Sequence, residues 1–127
     1  MDPLVIVHVV AAVALLALAI VVGSWGLARA RHIAAPVATR EGRWYAQVLQ
    51  LSHTLVLATG LLGLALAVEG HRSDDPLHAR VYGPFMLVAI VAAYAYRTRD
   101  AALNVRVFAI AALVVFALGL RAFVTGG

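Results

Sequence analysis

The segment LVIVHVVAAVALLALAIVVGSWGL, Leu4 to Leu27, decides the fold of this chain. It holds no Arg, Lys, Asp or Glu, and apart from His8 its one clearly polar side chain is Ser24. A helix over these positions is roughly 36 Å long at about 1.5 Å per residue, enough to cross a hydrocarbon core of about 30 Å. Three further apolar runs follow within the 127 residues. They predict helices over about 4–28, 45–68, 77–97 and 101–124, joined by short loops. Short loops between long helices favour antiparallel neighbours. The expected architecture is therefore all-α, an integral membrane four-helix up-down antiparallel bundle occupying 1–127 as a single transmembrane domain.

Composition agrees with this and narrows the function. Hydrophobic residues make up 64% of the chain, leaving too little polar surface for a soluble domain beside the membrane part. There is no cysteine, which excludes disulfides, thiolate metal sites and covalent haem attachment. The net charge of +4 is read as a topology signal, since no basic patch is interleaved with aromatic residues as nucleic acid would require. No nucleic-acid partner is expected. The start Met1-Asp2-Pro3 lacks the basic region of a signal peptide, so the first apolar run is expected to be retained.

Charge also orients the helices. Arg29, Arg31, Arg40 and Arg43 cluster after the first run, and Arg97, Arg99 and Arg106 around the third loop. The middle loop carries Glu69, Asp74 and Asp75 against Arg72 and Arg80. The positive-inside rule then places both termini outside, in a multi-pass protein of a bacterial inner (cytoplasmic) membrane. Trp25, Trp44, Tyr45, Tyr94 and Tyr96 are expected to form the inner aromatic belt, with Pro36, Gly42 and Pro76 in or beside loops and Pro84 in the first turns of the third helix.

An ionisable group within such a span has to be paired, ligated or useful. His8 lies roughly 6 Å below the expected outer boundary, whereas His53 lies roughly 24 Å from the outer end of its helix. The two are at different levels, and His78 is the expected neighbour of His8, with His71 as substitute. Together His8 and His78 would ligate a haem iron axially, with Arg80 and Arg121 as the nearest cations for propionates and Tyr82 on the wall. The plain alternative for His8 is a neutral imidazole bonded to a neighbouring carbonyl. Ala12, Ala19, Gly23 and Gly26 form a small-residue stripe below His8, and Gly60, Gly63 and Ala67 another beyond His53. Such stripes serve close helix packing or leave room for a flat macrocycle. Gln47, Gln50, Ser52, His53 and Thr54 form a polar patch suited to a quinone head group, a second haem, a proton path or interhelical hydrogen bonds. His32 and His71 read as solvated.

Val7-His8-Val9-Val10, the Arg29-Ala30-Arg31-His32 end of the first run and Leu77-His78-Ala79-Arg80 together resemble the HemJ-type protoporphyrinogen oxidases. The small four-helix proteins around the copper-resistance CopD domain look similar. The resemblance implies b-type haem, with His8 as ligand, and an oxidoreductase activity on protoporphyrinogen. Arg80 stands where that family carries lysine. Three functions are open at this point. The leading one is a b-haem-binding membrane protein in electron transfer or porphyrin handling near the outer leaflet. The second is a non-catalytic accessory subunit of a respiratory or photosynthetic complex, packed against other membrane subunits or against itself in the lipid bilayer. The third is a small metal or porphyrin transporter.

Overall fold

The computed structural model describes residues 3–35, 39–68, 70 and 83–125. Four helices are present: α1 Pro3–Ile33, α2 Arg40–Val68, α3 Gly83–Ala95 and α4 Ala101–Thr125, with no strand among the described residues. α1, α2 and α4 are long and apolar enough to cross a membrane, and Pro84–Ala95 is a shorter apolar helix. Large hydrophobic side chains are exposed along all four, for example Val10, Leu61, Val91 and Val124. Lipid tails would cover such a surface without cost, because they are as apolar as leucine.

α1 is the centre of the bundle. Its widest interfaces are with α4 and α2, while α3 packs on α4 and barely touches α2. One core cluster joins Leu15, Ala19, Val56, Met86 and Val115 from all four helices; a second joins Val22, Tyr45 and Ala112. Leu15 packs in the same cluster as Val56, and Val22 in the same cluster as Tyr45, so α1 and α2 run antiparallel. The same reversed order holds between α1 and α4, where Leu16 meets Gly119 and Gly23 meets Leu113.

The small-residue stripe of α1 closes this packing. Ala19, Gly23 and Gly26 are buried, and a Cβ added to Gly23 would stand 2.5 Å from Leu113 Cδ2. On Gly26 it would stand 2.5 Å from the Tyr45 hydroxyl and 2.7 Å from Ala109 Cβ. The stripe is therefore filled by α4 and Tyr45, and close helix approach is its role at these positions.

The ends of the helices differ from the expected boundaries. α1 runs past position 28 to Ile33, with a break in helical geometry at Arg29 (φ −127°, ψ 21°). Beyond the apolar run the backbone still forms helical hydrogen bonds, which hydropathy alone does not report. α2 begins at Arg40 rather than Tyr45, so Gly42 belongs to its first turn and not to a loop. Thr39 explains this: its Oγ1 accepts from Gly42 N–H at 3.0 Å, an N-cap. Asp100 caps α4 in the same way through Leu103 N–H at 3.1 Å. α3 ends at Ala95 rather than 97. Its expected start near Leu77 lies outside the described residues.

Of the aromatic residues expected at the inner belt, Tyr45 turns into the bundle and Trp25 packs beside it, partly buried. Tyr45 is 3% exposed, its ring edge-on to Trp25 at 5.1 Å, and its hydroxyl reaches the Val22 carbonyl at 3.5 Å. The Trp25 indole N–H donates to Glu41 Oε2 at 2.9 Å. Arg29 grips the same carboxylate with two donors, Nε to Oε2 at 3.0 Å and Nη2 to Oε1 at 2.9 Å. This fork ties the broken end of α1 to the first turn of α2. Trp44, Tyr94 and Tyr96 remain exposed.

Candidate functional site

Two histidine positions lie inside the spans, and each is shaped by a different neighbour. His8 is half-buried on α1 and faces Gly63 of α2. A Cβ on Gly63 would stand 3.2 Å from His8 Cε1, with both ring nitrogens at 3.9 Å. The Cε1 edge of the imidazole is thus packed closely on α2, where a side chain at position 63 would press on it. Of the other residues nominated for that site, His78, Arg80 and Tyr82 lie outside the described residues, as does His71. Arg121 is exposed two residues beyond Gly119, whose face meets Leu16, and so stands in the half of the bundle that holds His8.

His53 is the centre of the better-defined site. It stands ten residues before Gly63 on the same helix, about 15 Å along the axis, so it shares no ligand with His8. His53 Nδ1 lies 3.2 Å from the Tyr94 hydroxyl. Phe108 completes a triangle, with ring centroids 6.0 Å from His53 and 4.9 Å from Tyr94, the latter pair edge-on at 76°. His53 and Tyr94 are themselves edge-on at 5.6 Å. α2, α3 and α4 each supply one ring. Because α2 and α3 otherwise barely touch, this contact is their principal polar link in the described part.

Sequence reasoning placed His53 in a polar patch but left Tyr94 in the lipid belt. The available signal was depth: both residues fall in the same half of the bundle, near the loop rich in arginine. The rest of the patch divides by face. Ser52 is buried at 3% exposure, whereas Gln47, Gln50 and Thr54 point outward. Thr54 Oγ1 donates back to the Gln50 carbonyl at 3.0 Å, as a threonine within a helix commonly does.

Thr59 Oγ1 is buried without a hydrogen-bond partner among the described residues, one turn from Gly63. Among the described residues no group of three or more His, Asp or Glu side chains gathers as a metal site would need. No protein-family model, curated protein or solved structure matches the chain.

Proposed function

We propose that the protein is a membrane electron-transfer component that holds a quinone-type head group at His53, Tyr94 and Phe108. The carrying observation is the contact between His53 Nδ1 and the Tyr94 hydroxyl. A neutral imidazole has one donor and one acceptor nitrogen, and its tautomer is set by the partner of either one. When Tyr94 donates to Nδ1, the proton sits on Nε2 and is available to a carbonyl oxygen. When Nδ1–H donates to Tyr94, Nε2 accepts from a hydroxyl. One pair therefore serves both a quinone, which needs a donor, and a quinol, which needs an acceptor. Phe108 adds a flat apolar ring beside it. α2 and α3 touch little along their length, and a ligand dissolved in the bilayer would approach between them.

The test is photoaffinity labelling with a short-chain azido-quinone, using the protein in lipid nanodiscs and unlabelled quinone as competitor. Saturable labelling near His53 or Tyr94, lost in His53→Leu and kept in His8→Leu, is the expected result. Labelling that merely tracks the quinone dissolved in lipid would sink the reading.

A second reading rests on His8, an ionisable side chain half-buried within the first span and packed on Gly63. Here His8 ligates a b-type haem, as the HemJ-type resemblance implies, and the haem supplies one-electron redox chemistry. The residues' own part is limited to ligation by His8 and the fixing of its ring by Gly63. A reduced-minus-oxidised visible spectrum decides it. Haem bands lost in His8→Ala support ligation, and a colourless folded protein removes it.

A further inference from the structure

α3 and α4 leave a shallow groove between them that is open to the surroundings. Phe85, Ala89 and Ala92 of α3 and Tyr96 just after it line the groove with Ala111 and Leu118 of α4, among other residues of this helix pair. The two helices run antiparallel here, with Met86 beside Gly119 and Tyr94 beside Phe108. The alanines make the hollow, because their methyl groups leave a space that larger side chains would fill. Tyr94 and Phe108, which surround His53, are not in the lining, so the groove is separate from that site.

Positive charge gathers at one end. Arg97 directly follows Tyr96, Arg99 stands two residues on, and Arg106 lies one helical turn before Ile110, another lining residue. None of the three makes an ion pair among the described residues. Asp100, the neighbouring carboxylate, accepts from Leu103 N–H as the cap of α4. The groove therefore has a cationic head and an apolar body. From Tyr96 to Phe85 it is roughly 16 Å long at about 1.5 Å per residue, close to half of a hydrocarbon core of about 30 Å. α4 continues to Thr125 without lining it further.

That length argues against a second spanning helix as the occupant, since such a helix would be about twice as long as the groove. A lipid of one leaflet has the matching order, a phosphate followed by an acyl chain half a bilayer deep. Phosphate suits arginine, whose planar fork donates two parallel hydrogen bonds to it. Anionic headgroups are attracted to clustered arginines, whereas a choline or ethanolamine headgroup brings a cation of its own. The open side of the groove leaves the chain in contact with the bilayer. We propose that the α3–α4 groove holds an acyl chain of an anionic phospholipid, with its phosphate bound by Arg97, Arg99 and Arg106. The site does not depend on what His53 binds.

The test uses phosphatidylglycerol and phosphatidylcholine analogues carrying the same diazirine midway along one acyl chain. Each is added at low fraction to phosphatidylcholine nanodiscs holding the full chain, and labelled residues are located by peptide mass spectrometry. The phosphatidylglycerol analogue should label groove residues several-fold more than the phosphatidylcholine analogue, while exposed Leu61 of α2 is labelled equally by both. Unlabelled phosphatidylglycerol should compete, and glycerophosphoglycerol, the headgroup without chains, should not. Arg97→Gln with Arg106→Gln should bring the two analogues level. Ala92→Phe obstructs the groove at an exposed position, so it should cut groove labelling several-fold with helicity by circular dichroism unchanged. Equal labelling of the groove by the two analogues, no labelling there, full competition by glycerophosphoglycerol, or labelling unchanged in Ala92→Phe would each overturn the proposal.

Discussion

The Tyr45 hydroxyl stands 2.5 Å from the point where a Cβ on Gly26 would lie. The ring of one helix is thus seated on the bare backbone of another, and the seat is closed by Ala109 from a third. Gly26→Ala must push both neighbours away, and Ala109 cannot move without its helix. A loss of about 1–3 kcal/mol in unfolding free energy is expected, the usual cost of overpacking. Gly60→Ala is the control, because nothing lies within 4 Å of its added Cβ. It should be neutral or stabilising, by up to about 1 kcal/mol from helix propensity. Chemical unfolding in detergent micelles measures both.

His8 and Gly63 form the second seat, and a side chain on Gly63 presses on the ring. Gly63→Val should destabilise the bundle, and His8→Ala in the same chain should recover part of that loss. A coupling of about 0.5–3 kcal/mol in the double-mutant cycle is expected for residues in contact. Zero coupling would mean that the imidazole does not occupy this space.

Tyr94→Phe keeps the ring against Phe108 and removes only the hydroxyl that meets His53. Stability should fall by about 1 kcal/mol or less, the range for a side-chain hydrogen bond within a membrane bundle. Quinone labelling should weaken much more than stability does. Equal losses in both would assign the pair to helix packing alone.

The Glu41 carboxylate accepts from the Trp25 indole and from both arms of Arg29. Arg29→Lys keeps the charge but loses the planar fork, so it should lower the thermal midpoint, and Glu41→Ala should lower it further. Salt should narrow the gap between wild type and Arg29→Lys, because this pair is exposed. Trp25 fluorescence should report the loosened turn in both variants.

The four apolar runs were legible because a membrane span demands an unbroken length of apolar residues, and that demand is written along the chain. The seats were not. Tyr45 reads as an interfacial tyrosine until Gly26, nineteen residues earlier, is placed beneath it. Gly42 reads as a loop glycine until Thr39 is recognised as the cap of α2. Tyr94 lies forty-one residues from His53, and no periodicity links them. The continuation of α1 past position 28 was hidden for another reason: hydropathy reports where an apolar run ends, whereas the helix carries on through the break at Arg29 to Ile33.

The dominance of the α1–α4 interface has a consequence for biosynthesis. The face of α1 made by Ala19, Gly23 and Gly26 is completed by Ala109 and Leu113, which the ribosome reaches more than eighty residues after Gly26. At about 5–20 residues per second, that face waits roughly 4 to 16 s before its partner is made. Through that interval α1 and α2 are a bare hairpin with an open trough along one side. The step that commits the bundle is therefore the arrival of its last helix, and truncation before Ala109 should leave a nascent chain that quality control recognises as unfinished.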